Sequence, residues 1–194
     1  MVRPKSKMDI ISVLRKYVLS KLLMIIPQKA YVKWMVYIKN GKKLNLDKPI
    51  TFSDKINYLK LHPDNDKIFT YSDKIKVKDE VKFYVKTPRT LWSGNRLTKE
   101  IFDSLPNKFV LKSNAYSGDV WIVDDKNQIN YKEINRYYNR VKKIKYYSFS
   151  RETGYKYIKS KIFAEEYMNS SNLTDYKFFC FNGQVKFCHV VTDR

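Results

Sequence analysis

The chain is poor in the residues that most often carry metal or nucleophilic chemistry. Of 194 residues, two are cysteine, Cys180 and Cys188, and two are histidine, His62 and His189. There is no C-x-x-C pair and no second cysteine cluster, so zinc-site spacing is lacking, and reduced thiols fit a cytoplasmic chain. No G-x-S-x-G occurs, which argues against serine-hydrolase chemistry. His62 falls in an expected turn and His189 in an expected strand, both ordinary places for a histidine. G-x-x-x-x-G-K-[ST] and G-x-G-x-x-G are missing as well, which removes the P-loop and the dinucleotide fingerprint. No apolar run reaches the ~20 residues of a membrane span. No small-residue cleavage site follows the N-terminal apolar stretch, and no repeat, low-complexity tract or linker divides the chain.

Acidic residues are also scarce, with 19 Asp and Glu against 39 Lys and Arg, a net charge of +20. That excess favours anionic partners: nucleic acid, a membrane surface or a phosphorylated ligand. The cations are spread over the whole length, so a general Lys/Asn/Ile/Tyr bias explains them equally well. Interleaved tyrosines and cations in NYKEINRYYNRVKKIKYY suit single-stranded nucleic acid, but no RNP, KH or zinc pattern accompanies them, and nucleic acid is disfavoured. Hydrophobic residues form 43% of the chain and aromatics 15%, enough for a folded core in one ordinary domain.

The first half reads as helical. Ile11, Leu14, Val18, Leu22 and Ile25 share one face of a helix that Pro27 ends, with Arg15, Lys16 and Lys21 elsewhere on the wheel. That helix either packs on its own domain or lies on an anionic membrane surface. A second helix stops at Asn40-Gly41, a third is capped by Thr51 or Ser53 and ends before Pro63, and a fourth is capped by Ser72 or Asp73. Thr87 to Trp92 is extended, because a residue before proline leaves the helical region.

The second half turns to strands. Phe109 to Lys112 and Val120 to Val123 flank the loop SNAYSGD, Asn130 to Lys145 is helical, and Ile162 to Tyr167 is a strand before the loop Asn169 to Asn172. Asn182-Gly183 closes a hairpin over Tyr176 to Val191. A two-residue turn sets Cys180 opposite Val185 and Cys188 opposite Lys177.

Two patterns carry chemistry. Lys112 ends an apolar strand before a loop of backbone N–H groups; it either snorkels to solvent or meets a polyphosphate that the loop covers. In KIFAEEYMNSSNLTDYKFF, the acidic strand end and Asp175-Tyr176-Lys177 are either a solvated edge or a nucleoside site. In the latter, extended backbone meets the base, a carboxylate accepts from the ribose and a lysine faces the phosphates.

In this order, SDKIKVKDEV, TPRTL, KFVLKSNAYSGDVWIV, IFAEEYM and DYKFFCFNG resemble the front part of an ATP-grasp domain. GKKLNLDKPITFSDKINYLKLH, RETGYKYIKSKIFAEEYM and DYKFFCFNGQVKF make the resemblance specific to the TupA-like ATP-grasp family, over roughly Gly41 to Arg194. The resemblance implies an α+β, ATP-grasp-like fold: a basic helical segment over residues 1–50, then a partial nucleotide-binding domain over residues 51–194. It implies ATP as cofactor, with Lys74 and Lys112 on the phosphates and Ser117 and Gly118 in the covering loop. Glu165, Glu166, Tyr167 and Met168 become the adenine hinge, Asp175 the ribose acceptor and Lys177 a further phosphate contact. It further implies a ligase of bacterial teichuronopeptide, capsule or other cell-surface polymer synthesis. Such an enzyme is cytoplasmic or peripheral at the inner membrane face and acts on a polymer precursor. Two departures stand out. The loop has Ala115, Tyr116 and Asp119 where the family reads close to N-H-G-S-G-G, which brings a negative charge towards the phosphates. The magnesium ligands follow the hairpin in the family, whereas this sequence stops at Asp193-Arg194, so the metal-binding part, and with it efficient catalysis by this chain, is expected to be missing; the alternative is a non-enzymatic basic module that binds an anionic polymer, a membrane surface or nucleic acid.

Overall fold

Capping chemistry decides where the helices of the first half begin and end. In the computed structural model, which describes residues 10–63, 66–168 and 174–192, α1 spans Ile10–Leu23 and α2 spans Gln28–Asn40. Gly41 ends α2 at φ 66°, and its N–H donates to Tyr37 O at 2.8 Å, a left-handed cap that suits glycine. Helix α3, Phe52–Leu61, starts in a capping box: Asp54 N donates to Thr51 Oγ1 at 3.1 Å, and Thr51 N donates to Asp54 Oδ2 at 3.0 Å. The fourth helix expected after Ser72 or Asp73 is α5 (Lys76–Val81), and a further short helix that the sequence did not suggest, α4 (Lys67–Ser72), precedes it. Asp73 breaks them apart, because its Oδ1 accepts from Ile75 N at 2.9 Å and so competes with continuous helix.

Four strands then build an antiparallel sheet in the order β1-β4-β2-β3: Thr90–Gly94, Phe109–Ser113, Trp121–Val123 and Ile162–Glu166 for β1 to β4. Helices α6 (Lys99–Ser104) and α7 (Tyr131–Val141) lie between strands in the chain, and α8 (Tyr147–Ser150) follows α7. On β2, Phe109, Leu111 and Ser113 are fully buried while Val110 and Lys112 between them are not, the alternation of a strand with one core face. Leu111 pairs with Ala164 and Ser113 with Ile162, which carries the same face across to β4. Against it α7 sets Ile134, Tyr137, Tyr138 and Val141, and this is the main core. The remaining strands, β5 (Asp175–Phe181) and β6 (Gln184–Val191), form a separate two-stranded sheet. Mixed helices and antiparallel sheets make the chain α+β. The loop expected at Asn169 to Asn172, the Asp64-Asn65 turn and the Ile11 side chain fall outside the described residues.

Two expectations need correction. The hairpin turn forms with Asn182 and Gly183 both at positive φ, but the register shifts between Phe179 and Cys180, so Cys188 faces Phe178 and not Lys177. A bulge adds one residue to β6, which turn length alone does not reveal. The second correction concerns α1. Its inward side is Val13, Tyr17 and Ser20, packed towards α7 and α8, whereas Leu14, Val18 and Leu22 face solvent.

Arg151 anchors this arrangement. It is 2% exposed, adopts φ 54°, and donates to Leu23 O and, at 3.1 Å, to Ile26 O. Its guanidinium also lies 4.5 Å from the Tyr31 ring centre. Cationic donors on the last carbonyls of a helix are favourable, and here they join the end of α1 to the start of α2. Arg151→Ala is expected to cost about 2–3 kcal/mol, the scale of a charged hydrogen bond lost from a buried site, read from urea unfolding.

Candidate functional site

The face of the sheet opposite α7 carries the charged residues. Lys112 is on this face of β2, and its partner in register on β4 is Phe163, with Glu165 two residues further on the same side. Glu165 is 4% exposed and holds two cations: Lys78 Nζ at 2.8 Å and Lys112 Nζ on its other carboxylate oxygen. Lys78 comes from α5 and also donates to Pro88 O at 2.8 Å, tying α5 to the start of β1. Lys78 belongs to no motif in the sequence, although its spacing of four from Lys74 puts both near one side of the same segment.

Lys74 stands at the other margin of this group. Its Nζ donates to Ser113 O at 3.0 Å and to Tyr116 O, so it lies under the loop that follows β2. Burial pushes its ammonium below the ordinary lysine range, opposed by the nearby Asp119 carboxylate. The loop depends on Asn114, 1% exposed. Asn114 Nδ2 donates to Asp73 Oδ2 at 3.1 Å and to Lys159 O at 3.2 Å, and Lys161 N donates to Asn114 Oδ1 at 2.7 Å. One amide therefore fastens together the residue before Lys74, the loop and the lead-in to β4. No local pattern marks it in the sequence, since its partners lie 41 to 47 residues away.

Asp119 departs from the expectation of a charge presented to phosphates. It is 1% exposed, and its Oδ2 accepts from Ser113 N at 2.9 Å. Burial raises its carboxyl to about 7, with Lys74, the Ser113 N–H and Lys112 pulling the other way. The folded chain therefore keeps a proton there that the unfolded chain releases near pH 4. The resulting stability is full below about pH 4 and is lost as pH rises through about 7. Asp119→Asn retains an oxygen for Ser113 N and cannot ionise. Urea unfolding across that window should give a flatter pH profile for the variant and a more stable variant above about pH 8; parallel profiles would refute it.

Ser117 and Gly118 are exposed at the loop tip, Gly118 at φ 89°, a conformation that favours glycine. Glu166 ends β4, its N–H donating to Arg89 O at 2.9 Å, and Tyr167 lies under Lys108 Nζ at 5.8 Å from its ring centre. Met168 is half exposed. Asp175 and Lys177 are brought together, 3.3 Å apart, on the hairpin, a sheet separate from that of Lys112. Lys112 sits level with Phe163 and the expected hinge runs from Glu165 to Met168, so about 7–17 Å of strand separates them at ~3.3 Å per residue. That length suits an extended nucleotide with its base at the strand end and its phosphates at the lysines.

Comparison with known proteins agrees with the residue patterns. A family model described as TupA-like ATPgrasp matches residues 54–194, the segment from α3 through the sheet and hairpin. No curated protein and no solved structure matches the chain. With well over half of its length matched, the chain belongs to the TupA-like ATP-grasp family.

Proposed function

We propose that the chain binds ATP along the outer face of β2 and β4 and serves carboxylate–amine ligation in the synthesis of a bacterial cell-surface glycan or peptide polymer. The observation that carries this reading is the row of lysines on that face, Lys74 under the loop after β2, Lys112 level with Phe163 and Lys78 on Glu165, leading to the Glu165-to-Met168 backbone at the end of β4. Such a site serves two successive displacements. A substrate carboxylate oxygen attacks the γ-phosphorus and ADP leaves; an amine then displaces phosphate from the acyl carbon, losing a proton. Lys112 and Lys74 compensate phosphate charge, and the loop 113–119 limits water.

ATP-grasp proteins generally use magnesium with ATP. Among the described residues no three His, Cys, Asp or Glu side chains converge. The carboxylates nearest the lysines are engaged, Asp119 with Ser113 N and Glu165 with Lys78 and Lys112. These residues do not make a metal site, and no step here is assigned to one.

A cavity of about 480 Å³ adjoins the Asp73–Asn114 contact and is lined by Phe69, Tyr157, Lys76, Lys159 and Lys161. Its cations and rings suit the carboxylate-bearing precursor. The test is binding of a non-hydrolysable ATP analogue by calorimetry, with Asp175→Ala beside the wild type. Saturable binding, weakened in the variant, supports the reading; a wild type that binds no analogue sinks it.

A further inference from the structure

The structure assigns a membrane-surface role to the outer face of α1: it docks the chain flat on an anionic lipid layer. This rests on α1 itself and is independent of the nucleotide reading. Leu14, Val18 and Leu22, with Ile25 just beyond the helix, are 56%, 52%, 57% and 79% exposed. Their spacing of four, four and three makes one apolar stripe. A helix serving only its own domain would turn that stripe inward; here the inward side is Val13, Tyr17 and Ser20. Arg151 fixes the end of α1 through Leu23 O and Ile26 O, so the outward orientation is held by a buried cation.

Charge identifies the occupant. From Ile10 to Leu46 there is no Asp or Glu, and there are eight cations: Arg15, Lys16, Lys21, Lys29, Lys33, Lys39, Lys42 and Lys43, of which Lys29 is paired with Asp47 at 2.7 Å. A second copy docking on the same stripe would bring two such carboxylate-free segments together with no acidic complement, whereas an anionic headgroup layer neutralises them. Helix α2 adds exposed Trp34 and Tyr37, residue types that favour the headgroup level. At 14 residues α1 is about 21 Å long, and no helix among the described residues is long and apolar enough to cross a membrane. The geometry is that of a helix lying in the interface, with apolar side chains sunk among acyl chains and cations at the headgroups.

The test is co-sedimentation of the full chain with vesicles of phosphatidylcholine alone or mixed with phosphatidylglycerol. Binding is expected to the mixed vesicles and to weaken as salt rises. The double variant Leu22→Glu, Ile25→Glu should bind about tenfold more weakly or worse. Lys132→Glu on the exposed side of α7 makes the same change in net charge and should bind almost as the wild type. Because Leu22 and Ile25 are exposed, circular dichroism and thermal melting should be unchanged; Leu22→Ser, Ile25→Ser provides a second variant without added charge. Equal losses in the Lys132 and Leu22/Ile25 variants would overturn the proposal, because binding would then be charge alone. So would equal affinity for both vesicle types, or a dimer in sedimentation velocity that the double variant dissolves.

Discussion

Lys112→Ala is expected to weaken ATP-analogue binding by about 30- to 150-fold, the 2–3 kcal/mol carried by a charged hydrogen bond to phosphate. The side chain is 27% exposed and rises from the open face of β2, so its removal leaves the α7 core untouched. Its present partner sharpens the expectation. Glu165 holds both Lys112 and Lys78, so a phosphate arriving at Lys112 competes with a carboxylate already there. Glu165→Gln should therefore move two readouts in opposite directions. Stability falls, because two lysines lose their counter-charge in a largely buried setting, while analogue affinity rises. Calorimetry on the two single variants and the double variant measures the coupling. If Lys112→Ala and wild type bind equally, Lys112 does not contact phosphate. If Glu165→Gln lowers affinity as much as Lys112→Ala, the carboxylate positions the lysine and does not compete with the nucleotide.

Where elements begin and end was largely legible from local chemistry. Thr51 with Asp54, Gly41 and Asn182-Gly183 each act within a few residues, and each forms the cap or turn its type favours. The alternating Phe109-Val110-Leu111-Lys112-Ser113 likewise declares one buried face. What stayed hidden depends on distance along the chain or on a choice the local pattern leaves open. The apolar stripe of α1 shows that the helix has two faces but not which one meets α7, and the structure turns the less apolar side inward. Asp119 reads as a charge in a phosphate loop until Ser113 N and Lys74 are placed around it. Lys112 and Glu165 were each visible as candidates, yet their ion pair follows from the β2–β4 register, which no short motif encodes. The family resemblance supplied the order of the motifs; the pairing of side chains had to come from packing.

Asn114 is where the largest stability loss is expected. Asn114→Asp replaces an N–H donor to Asp73 Oδ2 and Lys159 O with a second carboxylate, at a site where the two groups now stand 3.1 Å apart. Both residues are buried, Asn114 at 1% and Asp73 at 5% exposed. Two like charges cannot both be accommodated there, so the introduced carboxyl must take up a proton or the loop must part from the Asp73 turn. The expected cost near neutral pH is about 4–5 kcal/mol, the scale of an uncompensated buried charge and a large share of the 5–15 kcal/mol that holds a domain of this size together. The sign of its pH dependence follows. Burial and the facing carboxylate raise the folded-state pKa of the introduced group, so the deficit is full above that value and shrinks as pH falls and the protonated carboxyl donates to Asp73. Asn114→Ala separates this electrostatic effect from simple loss of bonds. It leaves Asp73 Oδ2, Lys159 O and Lys161 N without the amide, costs about 2–3 kcal/mol, and should show no such recovery in acid. Urea unfolding of both variants at neutral and mildly acidic pH checks the pair. Equal deficits with the same pH dependence would mean that the Asn114–Asp73 contact does not join the loop to the Lys74 turn.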